Sequence, residues 1–221
     1  MIRDGIYYAL GFTAAGAFVS WLVGTWPALI FFFLAAFFAW FFRDPERPIP
    51  VGSVAVSPAD GRVMSIVQEA DRQTRISIFL NVFDVHVNRS PISGVITDIT
   101  YKRGQFLVAS REIASAENEQ NILTVRAADG TVVVFKQIAG LLARRIVCTK
   151  SVGDFVQCGE RIGLIKFGSR VDVLLGPEWR IEVSPGNRVS AGSSILARRA
   201  GDVVLPLPLA ASIEEAALCR T

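Results

Sequence analysis

"SVGDFVQCGERIG" (151–163) reads as turn, short strand, turn, strand, and the same pattern returns in "SPGNRVSAGSSIL" (184–196). Both follow G-x-x-V-x-x-G-x-x-I: Gly153, Val156, Gly159 and Ile162 match Gly186, Val189, Gly192 and Ile195. Glycines at such corners supply turns that other residues resist. Two units of this kind predict a mostly β, barrel-sandwich-like domain with an internal two-fold repeat.

Between them lies "IKFGSRVDV" (165–173), two strand-forming runs, Ile165–Phe167 and Val171–Val173, split by Gly168-Ser169-Arg170. Read locally, the interruption is a β-bulge or a tight turn. Biotinyl and lipoyl carriers share a barrel-sandwich architecture, but a carrier displays its lysine at a hairpin tip. Lys166 lies inside a strand run, which argues against a carrier.

The strand pattern extends upstream to Pro50. The candidate strands are 54–56, 61–69, 74–80, 94–102, 121–127, 131–138, 145–148, 161–167, 171–175 and 194–199. "ADG" at 128–130 predicts a hairpin turn between two of them. Helix is sparse in this part: a short start at 140–143 and "AASIEEAAL" at 210–218.

Before Pro50 the composition changes. Residues 5–42 hold no charged residue, which explains a mean hydropathy of +0.41 over the whole chain. The stretch is too long for one helix across a ~30 Å hydrocarbon core, which takes roughly 20 residues. Gly24-Thr25-Trp26-Pro27 is the natural break, since proline suits a helix start. The expected result is an α-helical membrane hairpin over residues 1–43. Arg3 before it and Arg43 and Arg47 after it put both ends in the cytoplasm. A cleaved signal peptide is disfavoured by the length of the apolar stretch and the lack of a small-residue cleavage site. "RDPERPIP" (43–50) carries three prolines and predicts an exposed linker over 44–50, leaving 51–221 as the catalytic β domain.

The net charge of +3 suits an anionic surface, and with no dense Lys/Arg run nucleic acid is not an expected partner. Cys148, Cys158 and Cys219 show no C-x-x-C spacing, so neither a disulfide framework nor a zinc ribbon is expected. His86 is the single histidine, which excludes mechanisms and metal sites that need two.

Three stretches carry candidate chemistry: "SPADGRV" with Asp60, "FLNVFDVHVNRSPISG" with Asp84, His86 and Arg89, and Gly168-Ser169. On a strand, Asp84 and His86 would share a face. An imidazole beside a carboxylate suits a general base or acid. The order Asp60, His86, Ser169 is also a possible serine-hydrolase triad. Ser169 lies outside any G-x-S-x-G elbow, however, and nothing obvious supplies an oxyanion hole.

Taken together, the apolar hairpin, "RDPERPIP", "SPADGRV", "FLNVFDVHVNRSPISG", "ARRIVC" and "VGDFVQCGERIGLIKFGSRVDVLLG" resemble the short, membrane-anchored form of the phosphatidylserine decarboxylase family. The resemblance implies a proenzyme that cuts itself between Gly168 and Ser169. The β chain would be 1–168 and the α chain 169–221, paired as a heterodimer, with a higher oligomer as the alternative. It implies that Ser169 becomes a pyruvoyl group, with no metal and no external cofactor. His86 would be the base and proton donor, and Asp60 would orient it. Phosphatidylserine in the bilayer would form a Schiff base with the pyruvoyl ketone and lose carbon dioxide to give phosphatidylethanolamine, on the cytoplasmic face of the cell membrane. Arg89, Arg144 and Arg145 are candidates for the lipid phosphate; Arg170 is a candidate for the substrate carboxylate or phosphate, with an ion pair to Asp172 as the alternative. The longer relatives carry Leu-Gly-Ser-Thr at the cut and two histidines near "DVHVNR", whereas this chain has Phe167-Gly168-Ser169-Arg170 and one.

Overall fold

The computed structural model describes residues 3–69, 71–141, 145–166 and 168–199. Arg144, Cys219 and the predicted helix at 210–218 lie outside the described residues.

Two antiparallel helices come first, α1 (Arg3–Leu22) and α2 (Thr25–Phe41), broken at Gly24 as the sequence predicts. They lie close together: a Cβ on Gly5 would stand 2.3 Å from that of Phe42. Stacked rings tie Tyr8 and Phe12 to Phe38 and Phe42. The stretch Asp4–Leu22, with a mean hydropathy of 1.3, is long and apolar enough to cross a membrane, whereas α2 is a shorter apolar helix of 17 residues. Trp21 and Trp26 flank the turn and are exposed.

The remainder is mostly β. In chain order the elements are β1 (Val54–Val56), β2 (Gly61–Gln68), β3 (Thr74–Leu80), β4 (Val87–Arg89), β5 (Gly94–Lys102), the one-turn α3 (Ala114–Glu117), β6 (Gln120–Arg126) and β7 (Val132–Ile138). There follow β8 (Ile146–Cys148), β9 (Phe155–Val156), β10 (Arg161–Ile165), β11 (Ser169–Leu175), β12 (Trp179–Ile181), β13 (Arg188–Val189) and β14 (Ile195–Arg199). Eight strands form one antiparallel sheet in the order β13-β2-β3-β11-β7-β6-β5-β9. Two three-stranded sheets, β1-β14-β12 and β4-β10-β8, complete the domain.

The predicted "ADG" turn closes the β6–β7 hairpin, with the Asp129 carboxylate accepting from the Thr131 N–H at 2.8 Å. Side chains alternate along β7, so Val133 and Phe135 face the core while their neighbours are half-buried. The strand β11 sits mid-sheet between β3 and β7 and is buried on both faces. The short strands of the two glycine-cornered stretches, β9 and β13, lie at opposite ends of the long sheet.

Four expectations are corrected. The break in "IKFGSRVDV" is neither a bulge nor a hairpin turn. There the chain leaves the sheet of β10 and enters that of β11, and Ser169 and Arg170 already belong to the second strand. Residues 81–86 form a turn rather than a strand, with the Asp84 N–H donating back to the Asn81 carbonyl at 3.1 Å. Gly140 and Leu141 are not helical. The 44–50 segment is no free linker, because Asp44 pairs with Arg89 and Arg161 while Arg47 pairs with Asp60. Its prolines prevent a helix, and its charges dock it on the domain.

Candidate active site

Ser169 opens β11 opposite Leu80 and is fully buried, and its Oγ has no hydrogen-bond partner. Leaving a buried hydroxyl unpaired is costly, so such atoms call for an explanation. The preceding Gly168 has φ +65, the left-handed region where a Cβ is disfavoured. Gly140 lies against the Gly168 carbonyl so closely that a Cβ there would stand 2.2 Å from its oxygen. This peptide is therefore held in an unusual conformation by a neighbour with no side chain.

His86 meets the amide on the other side of Gly168. The Gly168 N–H donates to its Nε2 at 3.3 Å, which makes Nε2 the unprotonated nitrogen. The ring is 1% exposed, its Nδ1 has no hydrogen-bond partner, and the Phe41 ring lies 4.5 Å away, centroid to centroid. Burial pushes the imidazole down to about 4, with Asp84 pulling the other way. A neutral imidazole thus contacts Gly168 through the amide that precedes the Gly168-Ser169 peptide.

Asp60 is not hydrogen-bonded to that imidazole. Both of its oxygens are gripped by Arg47, and one also accepts from the Ala191 N–H at 2.8 Å. Asp84 is nearer in sequence, but its carboxylate is taken by Arg188 and by the Asn81 N–H. The arrangement expected of a hydrolase triad is therefore not formed.

The arginines fall into two groups. Arg89 is no surface residue: it is buried, with its guanidinium on Asp44, the Pro45 carbonyl and the Gly159 carbonyl. Arg170 is fully buried and pairs with Asp172 at 2.6 Å, with further bonds to Ser77 and to Glu112 and the carbonyl of Arg111. Strand spacing explains the pair, since residues two apart share a face. Arg145, by contrast, is exposed, and its carbonyl accepts from the Lys166 N–H at 3.4 Å.

An open cavity of about 230 Å³ borders Gly168, walled by Phe79, Asn81, Val82, Val108, Ala109 and Leu141. Sequence reading missed Gly140 and the 105–113 segment as parts of this site. It also missed a buried amide chain in which Asn121 donates to Gln137 and Gln137 to Asn88, whose own Nδ2 has no partner. Asparagines and glutamines of this kind look like ordinary polar positions until the register of β6, β7 and β4 brings them together.

Residues 34–197 match the family model described as phosphatidylserine decarboxylase. The chain belongs to the phosphatidylserine decarboxylase family. Among similar proteins, the phosphatidylserine decarboxylase proenzyme of Solibacter usitatus is 64% identical over 199 residues, covering 90% of this chain and 97% of the relative. Those of Syntrophus aciditrophicus and Saccharopolyspora erythraea are 45% and 46% identical, covering 88% and 76% of this chain and 95% and 75% of the relatives. Within this family frame, the Gly168-Ser169 junction, His86 and the bordering cavity form one contiguous candidate site.

Proposed function

We propose that the chain is a self-cleaving, pyruvoyl-dependent phosphatidylserine decarboxylase working at the cell membrane. The observation that carries this reading is the contact of His86 Nε2 with the Gly168 amide beside the unpartnered Oγ of Ser169.

In the first reaction His86 takes the proton of the Ser169 hydroxyl as Oγ attacks the Gly168 carbonyl carbon. The C–N bond breaks as the C–O bond forms, and the proton passes to the freed amine. The left-handed backbone at Gly168, where a Cβ would meet nothing within 4 Å, favours this by leaving that side open, while Gly140 packs on the carbonyl oxygen and fixes its position. Loss of the Ser169 α-proton then expels the Gly168 carboxylate, leaving a dehydroalanine, which hydrolyses to a pyruvoyl group with release of ammonia. The products are a β chain 1–168 and an α chain 169–221.

The residues present fit that group: its position is buried, and the adjoining Gly168 meets both a neutral imidazole and a cavity. When formed, it supplies the electron sink for loss of the substrate carboxylate. His86 holds the proton to be returned to the substrate carbon. Asp60 acts on His86 through its charge rather than through a hydrogen bond, since Arg47 occupies both its oxygens. For the lipid phosphate, exposed Arg145 is better suited than Arg89 or Arg170, whose guanidinium groups are already engaged; Arg144 remains a further candidate.

The helical hairpin serves as a membrane anchor of residues 1–43, joined by 44–50 to the catalytic domain. Both hairpin ends lie at the β domain and the exposed tryptophans lie at the far turn. This suits a hairpin entering from the side of the domain with aromatic residues at the distal interface. Tethering to the substrate's own surface raises its effective concentration.

Denaturing mass spectrometry of the purified protein tests the reading. Two fragments are expected, the second beginning at position 169 with a pyruvoyl group in place of serine. One intact chain with decarboxylase activity overturns it.

A further inference from the structure

We propose that the helical hairpin is a working part of the site as well as a tether, with Phe41 a positioning residue for His86. The inference rests on the proposed role of His86 in self-cleavage. Phe41 closes α2 and is 1% exposed, yet its environment is not hairpin alone. Together with Phe42 it forms a small core with Leu164 of β10, backed by Phe37, Phe38, Val82 and Val147, separate from the main core of the β domain. The imidazole lies at the edge of this cluster, its ring against Phe41 and its own carbonyl accepting from the Ile165 N–H at 3.3 Å. The hairpin therefore supplies one wall of the chamber around the base, and the strand leading to Gly168 supplies another.

A second contact fixes the other end of the hairpin to the same strand. Lys166, two residues before Gly168 and only 8% exposed, reaches Asp4 at the start of α1 at 2.7 Å, with Tyr8 and Phe42 rings under its ammonium. Arg43 then ties the hairpin exit to the Phe83 carbonyl at 2.7 Å, on the turn that carries His86. Hairpin and cleavage junction are thus coupled from both helices.

The chemical consequence concerns the proton on His86. The charged groups that face it are Asp84 on its own turn, Asp60 from the β1–β2 turn and Arg43 after α2. With these in place, exclusion of water by Phe41 keeps the imidazole neutral. If Phe41 is removed, water reaches the ring and its affinity for protons rises toward the ordinary value.

The test reads self-cleavage by gel, as a function of pH, in full-length protein in detergent or vesicles. For Phe41→Ala the acid limb of the rate profile is expected to move up by roughly one to two pH units, and the rate at pH 5 to fall about two- to tenfold. Phe41→Leu, still apolar, is expected to keep most of the wild-type profile. An unchanged profile for a folded Phe41→Ala overturns the proposal. If Phe41→Ala does not fold, Asp4→Lys decides: it is expected to slow cleavage, and the paired exchange Asp4→Lys with Lys166→Asp to restore it. Wild-type speed in Asp4→Lys, or no recovery in the exchange, overturns it. A wild-type chain that never cuts would instead sink the self-cleavage reading itself.

Discussion

Gly140 presents only hydrogen to the carbonyl oxygen of Gly168, and a Cβ in its place would lie 2.2 Å from that oxygen. The contact joins the segment after β7 to the residue before β11, 28 positions apart in sequence. Gly140→Ala must therefore displace the peptide that is proposed to be attacked. A shift of about an ångström costs on the order of 100-fold in a positioned reaction. We expect cleavage slowed by that order in a time course on gels. Gly11→Ala, which meets nothing within 4 Å, should cleave like the parent chain.

The buried imidazole makes stability depend on pH. The folded protein takes up the His86 proton only near pH 4, whereas the ordinary value is 6.5. The folded value is depressed, so between these limits the unfolded state binds more protons. The contribution is full above about pH 6.5 and is lost as the pH falls toward 4, amounting to on the order of 3 kcal/mol. Comparing unfolding of the Ser169→Ala chain with Ser169→Ala/His86→Asn at pH 7 and pH 4.5 isolates it. The difference between the two should shrink as the pH falls, and a constant difference would contradict the burial argument.

Ser169→Ala removes a hydroxyl that forms no hydrogen bond. The fold should lose less than about 1 kcal/mol, because no protein partner is left unpaired. The chain should nevertheless stay whole and inactive. Cooperative thermal unfolding together with a single band on a denaturing gel is the expected result, and appearance of two bands would remove Ser169 from the mechanism.

Arg170 and Asp172 are each fully buried and pair with one another at 2.6 Å. Arg170→Met strands a carboxylate in the interior and should cost about 3 kcal/mol, the range for breaking a buried pair from one side. Asp172 retains Ser115 and Arg75 nearby, which limits the loss. Replacing both, as Arg170→Met with Asp172→Leu, should recover much of it. A urea double-mutant cycle measures the coupling, and additive losses would mean that the two side chains do not act as a pair.

Much of the fold was legible because it is written in short-range pattern. The helix break at Gly24, the turn at Asp129-Gly130 and most strands of the β domain follow from apolar runs bounded by Gly, Pro and Asp. Short elements were harder. The three-residue strands β4 and β12 carry too few side chains for a period to be visible. Asp84 and His86 would share a face only on a strand, and the turn closed by the Asp84 N–H on the Asn81 carbonyl removes that geometry.

The site divides in the same way. Residue types and their neighbours in sequence were enough to single out Gly168, Ser169, His86 and Asp60. Partnerships were not, because each joins segments far apart whose meeting depends on sheet register and on where the hairpin docks. Asp60 holds Arg47 rather than His86, and His86 leans on Phe41 of a helix 45 residues upstream; for Arg170 the pair with Asp172, two residues on, was open in the sequence and the structure selects it. The sequence by itself determined a β domain behind an apolar helical hairpin and a Gly-Ser junction with one histidine. Only the tertiary structure decided which charges neutralise one another and which ring covers the histidine. Those outcomes are set by desolvation and by distances of a few ångströms, which no local pattern of residues encodes.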